Sequence, residues 1–271
     1  MKLYKTLLLL LIFLGGIFIG TSDPVKNMYK NSAAIITSIM DYDNNKIEEK
    51  DKSNKQEKFI ICIDPGHQSK GDPTLEPMAP SSPYQKARVS SGTCGVGTKK
   101  PEYELNLEAS LILKHILVSK GFNVIMTRES HDVNISNVER AIYANENNAN
   151  LVVRIHGDSS DNPSITGVSI LVPAQNSKYT SSIFEDSNKC ATDIKSKMSN
   201  EGIKVNGIFE RDDLTGFNWS KIPVVLVEMG FMSNYNEDQM LSNPDYQKKM
   251  MQCVADGVEE YFKTNWIGWL Q

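Results

Sequence analysis

Three uninterrupted apolar runs constrain this chain more than any other feature: FIICID from Phe59, LVVRIH from Leu151 and PVVLVE from Pro223. Each reads as a strand buried on both faces. NVIMTR and GVSILVP read as two more strands. Amphipathic helices lie between them. ELNLEASLILKHILVSKG places apolar groups at Leu107, Leu111, Ile112 and Leu117, with Gly121 as its C-terminal stop. NVERAIYANENN, roughly 181–198 and roughly 244–263 give further helices. Strands separated by helices require crossover connections, hence an α/β fold with a largely parallel or mixed sheet and helices on its faces. That pattern fills a single domain over residues 59–271.

The first 58 residues follow other rules. Lys2 and Lys5 precede the uncharged block LLLLLIFLGGIFIG, so residues 1–22 read as an export signal, either cleaved or kept as a membrane anchor. No cysteine follows the block, which argues against lipid attachment. Residues 23–58 end in NNKIEEKDKSNKQEK, too polar to pack, and read as a linker with a short helix around Ala33–Met40. A net charge of −4 with no basic stripe argues against a nucleic-acid partner. Cys62, Cys94, Cys190 and Cys253 have no metal-finger spacing, and nothing in it asks for a disulfide.

The three constraining runs share an ending, in His67, His156 and Glu228 respectively. In open α/β sheets ligands bind outside the carboxyl ends of the strands, so neighbouring parallel strands would bring these side chains together. Two neutral imidazoles suit Zn2+, which also wants a third ligand and an open position. Asp64, Glu102, Glu104 and Glu228 are candidates for that ligand. Glu102, at a helix start after Pro101, is preferred over Glu104, which points to another side of the same turn. Asp64 is better placed to orient an imidazole. Glu228, a carboxylate ending a buried strand, should have a raised pKa and suit general base and then proton-donor work. Arg154 shares a face with His156 and either supports the site or meets an anionic substrate group. Arg128 and Arg140 read as structural ion-pair formers, and His115 and His131 as bystanders. SSGTCGVGTKK lacks the ending of a phosphate cradle and reads as pocket rim.

Taken in order, IDPGH at Ile63–His67, PEYELNL at Pro101–Leu107, VIMTR, ERAIYAN, LVVRIHGD and PVVLVEMGFMSN make the chain resemble the zinc-dependent N-acetylmuramoyl-L-alanine amidases of the Amidase_3 type. The resemblance implies a twisted mixed sheet flanked by helices. It implies one Zn2+ on His67, Glu102 and His156, with Glu228 as the catalytic glutamate. The implied reaction is hydrolysis of the amide joining N-acetylmuramic acid to L-alanine in peptidoglycan, in cell-wall remodelling or spore cortex processing. The protein is then expected outside the cytoplasmic membrane, touching the membrane only through its N-terminal segment, with an activating protein partner as one route to its substrate.

Departures from the family pattern sit at the rim. Gln68 replaces a common Gly, a long loop from Ser69 to Lys100 replaces a short one, and Arg154 and Gly157-Asp158 replace Ser and Ala-Asn. RDDLTGFNW, from Arg211 to Trp219 and including Asn218, is the expected groove wall for the stem peptide. Two rival readings are another zinc amide hydrolase and a wall-associated zinc-site protein that is inactive alone. The absence of HExxH spacing weighs against the familiar metallopeptidases.

Overall fold

Residues 59–269 are described by the structure, a computed structural model, with side chains as far as residue 264. The expected export segment, the linker and its short helix lie outside the described residues. In chain order the elements are β1 Ile60–Pro65, β2 Asp72–Pro77, β3 Gln85–Val89, α1 Glu102–Ser119, β4 Asn123–Met126, α2 Asn137–Glu146 and β5 Leu151–Asp158. They continue with β6 Val168–Pro173, α3 Ser181–Asn200, β7 Val205–Arg211, α4 Thr215–Asn218, β8 Val224–Phe231, α5 Tyr235–Leu241 and α6 Pro244–Trp269. Among the described residues no helix is long and apolar enough to cross a membrane.

Six strands form one sheet in the order β4-β1-β5-β8-β6-β7. All neighbours are parallel except β8 and β6, which makes the sheet mixed, as expected. β1, β5 and β8 are adjacent and parallel, so the three constraining runs do end at one sheet edge. Strand alternation splits each run between two cores. Ile61, Ile63, Val153, Ile155, Val225 and Val227 pack into the larger core, with Leu113 of α1, Ile194 of α3 and Val254 of α6. Cys62, Val152, Val224 and Leu226 face the smaller core, with Ala144 of α2 and Phe217 of α4. Each such aliphatic side chain contributes on the order of 1.5–3 kcal/mol by leaving water.

Local signals set the helix ends. α2 begins with a capping box: Ser136 accepts from the Glu139 backbone N–H, and the Glu139 carboxylate accepts from the Ser136 N–H. α1 stops as expected at Gly121, whose φ of 95° lets its N–H reach Val118 O while Phe122 N–H reaches Leu117 O.

Four pieces went unread in the sequence: the β2–β3 hairpin, β7, and the short helices α4 and α5. The long Ser69–Lys100 loop carries a two-stranded hairpin, β2–β3. β7, an edge strand, was hidden because VNGIFER mixes polar groups and glycine and lacks clean alternation.

Candidate metal centre and cleft

The smaller-core face of the central strands turns polar toward their carboxyl ends. On β1 the row runs Cys62 to Asp64, on β5 Val152 to Arg154 to His156, and on β8 Val224 to Leu226 to Glu228. Register pairs Asp64 with Arg154 and His156 with Glu228 across neighbouring strands. β5 and β8 extend two or three residues beyond the expected ends, so His156 and Glu228 sit on the sheet ladder itself.

His67 lies two residues past β1 with φ 59°, a left-handed backbone that a histidine seldom adopts. Two buried arginines hold this turn by its carbonyls. Arg128 donates to Pro65 O and Gly66 O, and Arg140 donates to Pro65 O and His67 O. Sequence reading cast both as ion-pair formers. Arg140 does pair with Asp64, at 2.8 Å, but backbone carbonyls take most of their donors.

Glu102 opens α1. Its Oε1 lies 3.1 Å from His67 Nε2 and 3.2 Å from His156 Nδ1, and it accepts from Asn106 Nδ2 and the Gly157 N–H. Oε2 accepts from the Thr93 N–H. Burial alone would raise this carboxyl's pKa, but the two imidazoles outweigh it and hold it well below the carboxylate range. Glu104 stays apart, accepting from the Tyr103 hydroxyl. Asn106 was not anticipated, although its i+4 spacing from Glu102 puts it on the same helix face.

This donor set fits a zinc ion. His67 Nδ1 faces the Ser90 carbonyl at 2.9 Å, which can only accept, so the proton belongs on Nδ1 and a lone pair on Nε2. That lone pair points at a carboxylate oxygen, an acceptor facing an acceptor, which calls for a cation between them. Burial lowers the His156 pKa to about 4, which keeps this imidazole a neutral donor. His156 Nε2 and Glu228 Oε2 are buried and find no hydrogen-bond partner among the described residues. His67, Glu102 and His156 offer ligand atoms within 4.8 Å of one another, two nitrogens and one oxygen, a set typical of catalytic zinc.

Beside them opens a cleft of about 480 Å³, lined by both histidines, Arg154 and Glu228, with Lys86, Ala87 and Val89 of the hairpin and the following Ser90 on one side and Arg211 and Asp213–Gly216 on another. Glu228 keeps part of its side chain open to this cleft. Burial, reinforced by the negative charges of Glu102 and Asp158, pushes its pKa well above the ordinary value.

The remaining expected residues divide. Asp64 does not orient an imidazole: its oxygens pair with Arg140 and Arg154 and accept from Thr127, because strand register sets it beside Arg154. Arg154 lines the cleft while spending its Nε on Asp64 and Nη2 on Asn137. RDDLTGFNW does form cleft wall, but Asn218 turns inward and ties Met78 O of the hairpin loop to Asp212 O. The SSGTCGVGTKK loop is fastened by Asp238, which accepts from the Gly97 and Thr98 N–H groups and the Thr98 hydroxyl.

The family profile of N-acetylmuramoyl-L-alanine amidase matches residues 61–260. The chain is similar to an N-acetylmuramoyl-L-alanine amidase of Mycobacterium tuberculosis, 25% identical over 213 residues, 76% of this chain and 87% of that one. Its fold is similar to the crystal structure of the amidase Ami1 of Mycobacterium smegmatis, with a TM-score of 0.69 at 24% identity, covering 76% and 97% of the two chains. It is also similar to the CwlD amidase of Clostridioides difficile, solved in complex with the GerS lipoprotein, with a TM-score of 0.60 at 22% identity over 76% and 99%.

Proposed function

The chain belongs to the N-acetylmuramoyl-L-alanine amidase family, and from that premise we propose that His67, Glu102 and His156 hold one zinc ion and that Glu228 moves the protons. The reaction is hydrolysis of the amide between N-acetylmuramic acid and L-alanine in peptidoglycan. One observation carries the residue assignment: Glu102 Oε1 is shared by two imidazole nitrogens at 3.1 and 3.2 Å, with Glu228 on the strand next to His156.

Zinc, when bound, supplies Lewis acidity that makes water a nucleophile near neutral pH and polarises the carbonyl it attacks. The protein's own groups do the rest. Glu102 remains an anion, and His156 remains neutral. Glu228 accepts a proton from the attacking water and returns it to the alanine nitrogen as the C–N bond breaks, leaving a free muramyl carboxylate and a free amino end. Its elevated pKa suits both directions of transfer, and a nearby dication would pull that pKa back down.

The substrate places the action outside the cytoplasmic membrane, and export falls to residues 1–22 in this reading. Whether vegetative wall or spore cortex is the target depends on the rim, where this chain departs from the family pattern. Mass spectrometry of fragments released from both kinds of wall, with the protein and with Glu228→Gln, tests the proposal. Stem peptides with free L-alanine amino ends, released by the intact protein alone, are expected. Fragments cut elsewhere would overturn it. A zinc-loaded protein that releases nothing would point to the activator-dependent alternative; a similar amidase was solved in complex with a lipoprotein.

A further inference from the structure

We infer that Lys86 of the hairpin and Arg211 at the end of β7 form a carboxylate-binding subsite that reads an acidic residue of the stem peptide. This inference rests on the amidase reading and adds the direction in which substrate lies in the cleft.

Availability singles these two out among the cations that line the cleft. Lys86 and Arg211 share a single carboxylate. Asp213 accepts from Arg211 Nε at 2.7 Å and Nη2 at 2.9 Å, and lies 3.4 Å from Lys86 Nζ, which also donates to the Asp213 backbone carbonyl. Both cations line a wall of the cleft that also borders Glu228. The other cations near the cleft are less available. Arg88 faces two carboxylates, those of Asp72 and Glu139. Arg154, which the sequence left as either a support of the site or a contact for an anion, is buried and committed to Asp64 and Asn137.

Accessibility agrees. The Lys86 and Arg211 side chains are 43% and 40% exposed, so a ligand can reach them without unfolding anything. The exposed Lys86–Asp213 pair, at 3.4 Å, contributes little by itself, so turning Lys86 toward a ligand anion costs little. Arg211 also presents a planar fork suited to a carboxylate.

Substrate chemistry then fixes the orientation. The carboxyl of muramic acid is consumed in the scissile amide, and the flanking acetylated sugars are neutral. Fixed negative charge therefore lies in the peptide, which carries an acidic residue next to L-alanine. The peptide runs toward Lys86 and Arg211, and the glycan leaves by the opposite side. Because Lys86 comes from the hairpin in the long Ser69–Lys100 loop, that insertion acts as a specificity element.

The test compares two soluble muropeptides that differ only in whether the acidic residue carries a free carboxylate or its amide. Wild-type protein should prefer the free acid by about tenfold in kcat/KM, the scale of a charge-assisted contact at a partly exposed site. Lys86→Gln and Arg211→Gln should each cut that preference to about twofold, through KM rather than kcat. Equal hydrolysis of both substrates by the wild type, or a preference that survives in both variants, overturns the subsite and leaves the amidase reading intact. Hydrolysis of neither by the zinc-loaded protein overturns this inference together with the reading it rests on, that the chain acts without an activator.

Discussion

His156 on β5 and Glu228 on β8 are register partners, so the expected ligand and the expected base leave neighbouring parallel strands on the same face. Their separation is set by the hydrogen-bonded spacing of the sheet, just under 5 Å in general, and does not depend on a loop. Further back, Val152, Val224 and Leu226 bury these rows in the smaller core, which anchors the pair on rigid backbone. A base mounted this way can act on a water held beside the metal without a closing motion to assemble the site.

Glu228→Gln keeps the shape of this position and removes its proton chemistry. Turnover should fall by about 10²–10⁴-fold, the usual contribution of a positioned acid–base group. Zinc content by elemental analysis should stay at one per chain, because the three ligands are untouched. Loss of the metal along with activity would make Glu228 a ligand instead.

Metal removal should be visible without substrate. Zinc at a hundredfold excess over its Kd stabilises a folded protein by about 2.7 kcal/mol, which for a domain of this size is about 5–10 °C in melting temperature. The melting temperature should drop by that amount on chelation and recover with zinc. His67→Ala should melt at one temperature in both conditions, and a zinc-dependent shift surviving in that variant would move the ion to another site.

Much of this geometry was legible from residue order. FIICID, LVVRIH and PVVLVE announce buried strands because they lack polar alternation, and their shared endings announce a site. The Glu102 choice was legible too, since a helix start after Pro101 leaves few directions for the carboxylate. Asp64 was misread because its partner depends on register: only the paired sheet shows that Arg154 sits directly beside it. Ser90, whose carbonyl sets the His67 tautomer, was invisible because a backbone acceptor leaves no mark in residue type. The hairpin escaped for a related reason. DPTLEP and QKARV are short and largely exposed, and what holds them is tertiary: Trp219 Nε1 donates to Pro77 O, and Glu76 accepts from the Val138 N–H at the start of α2.

Asp64 makes a prediction about acid stability. Burial alone would raise its pKa, but the guanidinium groups of Arg140 and Arg154 prevail and hold it far below the ordinary value. A depressed folded-state pKa means the stabilisation is complete above the unfolded value, about 3.9, and is lost as pH falls below it toward the folded value. Asp64→Asn strands two buried guanidiniums and should cost about 3–5 kcal/mol at pH 7. Urea unfolding at pH 7 and near pH 3 should show the gap between wild type and variant narrowing with acid. A gap that stays constant would mean the carboxylate charge is not what holds the arginines.

Gly66 tests the metal centre from behind. Its backbone is fixed on both sides: its N–H donates to Ile155 O, and its carbonyl accepts from Arg128 Nη2 and Asn106 Nδ2. A β-carbon built there would overlap the imidazole ring of His156. Since the turn cannot retreat, Gly66→Ala must displace the ring, at about 1–3 kcal/mol of overpacking. The fold should survive that cost, but a displaced ligand should weaken zinc binding by at least the 10–100-fold seen when a ligand loses its support. Competition with a chromogenic chelator reads the affinity, and circular dichroism confirms the fold. Wild-type affinity in Gly66→Ala would remove His156 from the ligand set, because the ring cannot keep its present position beside the new methyl group.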